Sequence, residues 1–289
     1  MKFGIPVGLF HPSHFLPVAV AADECGFHSA AVPDSVFFPE QVSAKYPYTE
    51  DGSRFWGPEA PFVDPWVAIP AMAAVTKRLH LYTSVMKLPL RNPLLVAKTV
   101  SSAAVLSGNR VGLGVGLSWI PEEFKWCGSD YAARGQLVDE AIEIIRLVVG
   151  GGMVEYHGKH YDFDRLQISP TPDAPVPIYV GGLTKPALRR AARLGDGWIS
   201  VQNSEAELKM FIAELRQYRE EYGVGDRPFE IKGSCTDVFD LDGYKRLEEA
   251  GMTELTVAPW YLYGGDPDSL ETKKAGIQRF ADDVIAKFP

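Results

Sequence analysis

The sequence predicts an α/β protein, a (β/α)8 TIM barrel with insertions, and three observations carry that expectation. Eight short apolar segments each lead into a longer segment of helical period. Such alternation makes the strands parallel and the crossovers right-handed. The chain has 289 residues, 46% of them hydrophobic, enough to bury a sizeable core in one large domain or two small ones. An open, doubly wound sheet is the competing arrangement. No composition break marks a boundary, so 1–289 reads as a single domain with insertions at about 34–63 and 150–176.

The elements follow in order. KFGIPVGL, within 2–9, is the first strand; the helix over 13–25 takes Ser13 as its N-cap and Gly26 as its stop. HSAAVP at 28–33 is the second strand, followed by an irregular stretch, 34–63, rich in Pro, Gly and aromatics. Asp64-Pro65 opens a helix over 64–77, a cap followed by proline at the first helical position. The third strand spans 79–86, and Asn92-Pro93 opens the next helix, to about Ser107. The fourth strand is 110–117; the helix over 131–149 carries Leu137, Ile144, Ile145 and Val148 on one stripe. A hairpin at 153–163 turns around His157-Gly158. Strands at 177–181, 197–201, 229–239 and 253–259 then alternate with helices at 184–194, 204–222, 240–250 and 268–288.

Composition narrows the function. The 29 basic and 37 acidic residues give a net charge of −8, which disfavours a nucleic-acid partner, since broad binding needs a basic face. Cys25, Cys127 and Cys235 are scattered without a CxxC pair, which suits a reducing compartment and disfavours a cysteine metal site. The first apolar run is broken by His11, Pro12, Ser13 and His14, unlike a signal peptide, and no stretch has the length of a membrane span. A soluble cytoplasmic protein is expected.

Active sites of such barrels lie at the C-terminal ends of the strands. His11, His14, Asp34, Ser35, Lys87, Arg91, Ser118, Trp119, Gly181, Gly182, Gln202, Asn203, Trp260 and Tyr261 fall there, whereas His28 and His80 begin strands and read as structural. His157 and His160 lie on the hairpin and read as solvated or packed. Gly112, Gly114 and Gly116 recur at period two and face one side. They leave room either for a flat ring at the mouth or for a helix packed tightly outside. Gly181-Gly182-Leu183-Thr184 runs into a helix with Pro186 in its first turn, an arrangement that suits an anion, and Lys185, Arg189 and Arg190 add positive charge nearby. The aromatics Phe37, Phe38, Tyr46, Tyr48, Phe55 and Trp56 of the 34–63 loop read equally as a lid over an apolar substrate or as the loop's own anchor; Trp119, Trp260 and Tyr261 complete such a pocket. Arg134 with Asp139 or Glu140 reads as a structural ion pair, and Glu122-Glu123 after Pro121 as acids favouring a helix N-terminus. There is no HExxH, no GxSxG elbow and no His/Asp cluster at metal spacing, so a metal is disfavoured.

Four stretches carry a resemblance: GFHSAAVPDS from Gly26; DPWVAIPAMAAVTKRLHLYTSVMKLPLRNPLLVAKTVSSAAVLSGNRVGLGVGLSWIPEEF from Asp64; CGSDYAARGQLVDEAIEIIRLV from Cys127; and PIYVGGLTKPALRRAARLGDGWIS from Pro177. Over roughly 26–200 the chain resembles the luciferase-like monooxygenase superfamily, and within it an actinobacterial branch of coenzyme F420-dependent oxidoreductases. The resemblance implies a (β/α)8 barrel that binds F420 or FMN at its mouth, often as a homodimer. It implies a phosphate loop at Gly181, Gly182, Leu183 and Thr184. It implies a ring-facing bulge at Ser84-Val85, often with a non-proline cis peptide, cofactor contacts at Gly116, Leu117 and Ser118, and an acidic position at Asp34. Two departures stand out. Ser35 replaces a histidine common in the family, and Trp119 replaces the glutamate of its sugar-phosphate dehydrogenases.

The implied chemistry is hydride transfer between F420 and a small apolar or aromatic substrate in a pocket of Tyr46, Trp56, Trp119 and Trp260, with His11, His14 or Asp34 relaying a proton. The alternatives are an FMN-dependent monooxygenase, a non-catalytic cofactor-binding protein, and an unrelated barrel hydrolase or aldolase using Lys87 as a Schiff base.

Overall fold

A computed structural model describes residues 1–288. Its first strand, β1 (Lys2–Pro6), leads through a 3-10 turn, Pro12–His14, into α1 (Phe15–Glu24). The expected cap moves two residues back. The His11 ring nitrogen Nδ1 accepts the Ser13 N–H at 3.3 Å and Pro12 takes the first position of the turn, so Ser13 does not cap a helix. Next come β2 (Ser29–Val32), α2 (Pro65–Val75), capped by Asp64 on the Trp66 N–H, and β3 (His80–Thr83). The third barrel strand is interrupted rather than continuous: the Ser84–Val85 peptide is cis, and pairing resumes in β4 (Met86–Lys87). Asn92 caps α3 (Pro93–Ser107), which ends on left-handed Gly108. After β5 (Val111–Gly116) lies a short helix, α4 (Pro121–Cys127), then α5 (Arg134–Val149).

The hairpin is β6 (Val154–His157) with β7 (Asp162–Leu166). The rest alternates: β8 (Ile178–Gly181), α6 (Lys185–Leu194), β9 (Gly197–Ile199), α7 (Glu205–Glu221), β10 (Glu230–Gly233), α8 (Leu241–Ala250), β11 (Glu254–Thr256) and α9 (Leu270–Asp283). The seventh strand is shorter than its apolar run suggests. Past Gly233 the chain turns its polar groups to its neighbour, where the Ser234 hydroxyl accepts the Gln202 N–H at 3.0 Å.

The strands follow the order β3-β2-β1-β11-β10-β9-β8-β5-β4, and the β3–β5 pairing closes the ring; every pairing in it is parallel. The alternation therefore resolves to a closed barrel and not to an open sheet.

Side chains alternate across the wall. Val111, Leu113 and Val115 of β5 belong to the apolar layer shared with Val96 and Val100 of α3 and Ile145 of α5. Gly112, Gly114 and Gly116 face the interior, and both readings of their space need correction. A Cβ on Gly112 would lie 2.8 Å from the Tyr179 ring, one on Gly114 would strike the Thr83 backbone, and one on Gly116 would meet Val85 at 2.6 Å. Neighbouring barrel strands, not a helix, fill that space.

The interior is polar as well as aromatic. Fully buried Lys232 donates to Glu254 and Glu230, each at 2.7 Å, with its ammonium 4.9 Å above the Tyr82 ring and 4.8 Å from that of Tyr179. Burial pushes the Glu254 carboxyl up, but Lys232 and the Ser29 hydroxyl outweigh it and hold the group below its usual range. His28 and His80 stack below this pair, 6.2 Å apart, at the closed end.

Candidate active site

The mouth is built from the ends of β2, β4, β5 and β8. Asp34, just past β2, accepts a two-pronged pair from Arg91 (2.7 and 2.9 Å) and the Lys87 N–H (2.8 Å). Both oxygens are thus engaged, and the bonds fix the chain on either side of β4. The Lys87 ammonium donates to Glu123 of α4 at 2.6 Å, and the Ser118 hydroxyl donates to the same carboxylate at 2.8 Å. Glu123 is fully buried, so this shared contact offsets the cost of desolvating it. Ser118 adopts a left-handed backbone, φ 62°, and Leu117 is half-buried against the outer core.

Ser84 N–H donates to the Val32 carbonyl at 2.7 Å, and Val85 turns inward. A Cβ on Gly181 would lie 2.9 Å from Val85, so the glycines at 116 and 181 flank it closely. Gly182 follows with φ 120°, a conformation that favours glycine. Leu183 is half-buried, and Thr184 stands at the N-cap of α6 without capping it through its side chain. By contrast Asn92 caps α3, Ser204 caps α7 and Asp240 caps α8. The first turn of α6 therefore keeps N–H groups that a side chain satisfies in those helices, a feature compatible with an anion. The glycines themselves are required by close packing, Gly181 against Val85 and Gly182 against Ala187.

Of the three basic residues expected to add positive charge here, Arg189 and Arg190 are committed elsewhere, while Lys185 is exposed at the start of α6 with no ion pair among the described residues. Arg190 and Arg193 pair with Asp139, and Arg189 reaches Glu221 at 3.2 Å. Arg134 forms no pair with Asp139 or Glu140; it lies 4.0 Å over the Tyr131 ring and donates to that residue's carbonyl. Glu140 accepts the N–H groups of 159–161 on the hairpin.

Three of the four expected pocket aromatics meet. Tyr46 packs edge-on against Trp56 (5.0 Å) and Trp119 (5.3 Å), and Trp56 continues to Phe62 at 5.8 Å. Burial, then Tyr48, pushes the Tyr46 phenol up to about 12. Trp260 stands apart. It is buried edge-on against Phe10 at 5.9 Å, and the Phe10 ring lies 6.3 Å from that of His14. His11 bonds Ser13, and its ring lies 5.8 Å from that of His14. Desolvation, then Lys273, lowers the His14 pKa, and its Nδ1 is buried without a hydrogen-bond partner among the described residues. Sequence reasoning missed Glu123, whose spacing after Pro121 reads as an ordinary helix start, and took Lys87 only as a nucleophile. The Lys87 nitrogen is taken up by the buried Glu123 carboxylate at 2.6 Å, which does not suit a Schiff base.

The chain is thus a closed parallel (β/α)8 barrel whose mouth joins an inward valine, flanking glycines and a helix start uncapped by any side chain. The comparisons agree: a family model for luciferase-like monooxygenases matches residues 4–236, and the chain belongs to that family. An uncharacterized protein of Mycobacterium tuberculosis is 43% identical over 290 residues, covering 99% of this chain and 100% of its own. An F420-dependent glucose-6-phosphate dehydrogenase of Nakamurella multipartita is 29% identical over 286 residues, 95% of this chain and 76% of its own. Among solved structures, the oxygenating constituent of 3,6-diketocamphane monooxygenase from Pseudomonas putida, in complex with FMN, superposes with a TM-score of 0.73 at 15% identity, covering 100% of this chain and 99% of its own. Family membership removes the unrelated hydrolase or aldolase.

Proposed function

We propose that the chain is an F420-dependent oxidoreductase acting on a small apolar or aromatic substrate. The carrying observation is the start of α6, uncapped by any side chain, beside Gly181 and Gly182, with Val85 packed between glycines at the mouth. Gly181, Gly182, Leu183 and Thr184 would hold the phosphate, and Ser84, Val85, Gly116, Leu117 and Ser118 would back the ring. The cofactor, once bound, supplies or accepts the hydride; the chain orients both partners and excludes water. Tyr46, Trp56 and Trp119 form the apolar wall. Trp119 standing where sugar-phosphate dehydrogenases carry glutamate argues against a sugar phosphate. His14, with its lowered pKa, is neutral near pH 7 and suited to accept the proton of an alcohol as hydride leaves. Asp34, with both oxygens taken, positions β4 rather than relaying a proton.

The second reading, an FMN-dependent monooxygenase, draws on the FMN-bound relative in fold. Fluorescence titration with F420 and with FMN tests both. Micromolar binding of F420 over FMN is expected; preference for FMN moves the function to monooxygenation, and binding of neither overturns the proposal. Turnover of an enone, aldehyde or alcohol separates an enzyme from a non-catalytic binder. We further propose a cytoplasmic homodimer without a nucleic-acid partner. Exposed Val67 on α2 with Leu95 and Leu106 on α3 supports the dimer, and among the described residues no helix is long and apolar enough to cross a membrane.

A further inference from the structure

Asp196, Gly197 and Trp198 lie beside β8 and grip both of its ends. At the start, the Asp196 carboxylate accepts the Ile178 N–H at 2.8 Å, while Asp196 N–H donates to the Ile178 carbonyl at 2.7 Å. At the finish, the indole N–H of Trp198 donates to the Gly182 carbonyl at 2.8 Å. Gly197 leaves no room between them: a Cβ there would lie 2.9 Å from the Tyr179 ring. The Trp198 ring is fully buried and tilted against Phe211 of α7, 5.7 Å away.

Peptide geometry turns this bond into an orientation. The Gly182–Leu183 peptide is trans, so its carbonyl and the Leu183 N–H point in opposite directions. With the carbonyl drawn to the buried indole, the Leu183 N–H is turned away from it. Released, the same peptide could rotate and set a carbonyl lone pair where the anion would lie. A buried indole N–H needs some partner; here the partner is the one carbonyl whose direction decides which way this loop's next N–H faces.

We propose that Trp198 is a positioning residue for anion recognition: its indole N–H locks the Gly182–Leu183 peptide so that the loop presents N–H groups to a phosphate. The inference rests on the reading of 181–184 as the phosphate loop. Trp198 itself touches no ligand; it acts through the peptide it holds.

The test compares cofactors with and without phosphate. FMN against riboflavin, and F420 against its phosphate-free deazaflavin chromophore, are titrated by fluorescence into wild type, Gly182→Val and Trp198→Phe. A further variant replaces Trp198 by its benzothiophene isostere, which removes only the N–H and keeps the ring should the phenylalanine variant fold poorly. Losing Trp198's N–H is expected to weaken the phosphate-bearing form about tenfold while the phosphate-free form changes less than about twofold. Equal weakening of both forms, or none in the isostere, overturns the role of Trp198. If Gly182→Val abolishes the phosphate preference but the isostere leaves it intact, only this inference fails. If wild type shows no phosphate preference and Gly182→Val changes nothing, the phosphate-loop reading itself fails.

Discussion

Asp34 and Glu123 divide the work of fixing the mouth. Asp34 ties Arg91 and the backbone of β4; Glu123 ties the Lys87 side chain and Ser118. Removing one member of a buried pair strands the other, at a cost of about 3–5 kcal/mol. Glu123→Gln is therefore expected to lower unfolding free energy in urea by about 2–4 kcal/mol, since the amide still accepts one bond. Lys87→Met with Glu123→Gln should cost less than the two singles added together. Additive effects would show that the pair contributes nothing as a pair. Asp34 was legible because it stands at a motif position. Glu123 was not, because its lysine partner lies 36 residues away and local spacing does not encode that contact.

The elements differ in how plainly their sequences declare them. Asp64-Pro65 and Asn92-Pro93 name their helices directly, since a capping oxygen followed by proline suits little else. Pro121 with Glu122-Glu123 marks the start of α4, but its seven residues are too few for periodicity to show its extent. Element surfaces carry two expectations. Gly182→Val should strain the φ of 120° and bring a Cβ within 2.8 Å of Ala187; cofactor affinity is expected to fall at least about tenfold at the start of α6. Unchanged affinity would remove the anion role from this loop. On α2 and α3, Val67 is 66% exposed, Leu95 70% and Leu106 83%. Leu95→Glu with Leu106→Glu is expected to convert a dimer to a monomer in sedimentation velocity, with the melting temperature little changed. A monomeric wild type would refute the dimer.

For the whole molecule, the closed end should set the acid limit of stability. Desolvation, then Lys232, lowers His80 from 6.5 to about 4, and burial lowers His28 beside it. Between those values the unfolded chain binds protons that the folded chain refuses. Stability is therefore expected to fall as pH drops from 6.5 towards about 4. Glu254, held below its usual range, adds its own loss only at lower pH. His80→Gln should flatten the upper part of the profile, read by urea denaturation at several pH values; an unchanged slope would remove His80 as a cause of the acid loss. The barrel was legible in the strand–helix alternation, because parallel pairing follows from connectivity. Its interior was not. Lys232 sits in a strand pattern that reads as half-solvated; the β10–β11 register sets it opposite Glu254, and closure of the ring brings it against two tyrosines.

α4 gives the mouth a mechanical property. Glu122 accepts the Ser43 N–H of the aromatic loop at 2.9 Å, and Trp126 meets Phe37 of that loop at 6.0 Å. The next residue after Glu122 is Glu123, which grips Lys87 and Ser118. One peptide unit thus separates the anchor of the loop from the anchor of the barrel rim. A displacement of the aromatic loop would therefore act on the same short helix that holds Lys87 and Ser118, which ties the position of the loop to that of the rim.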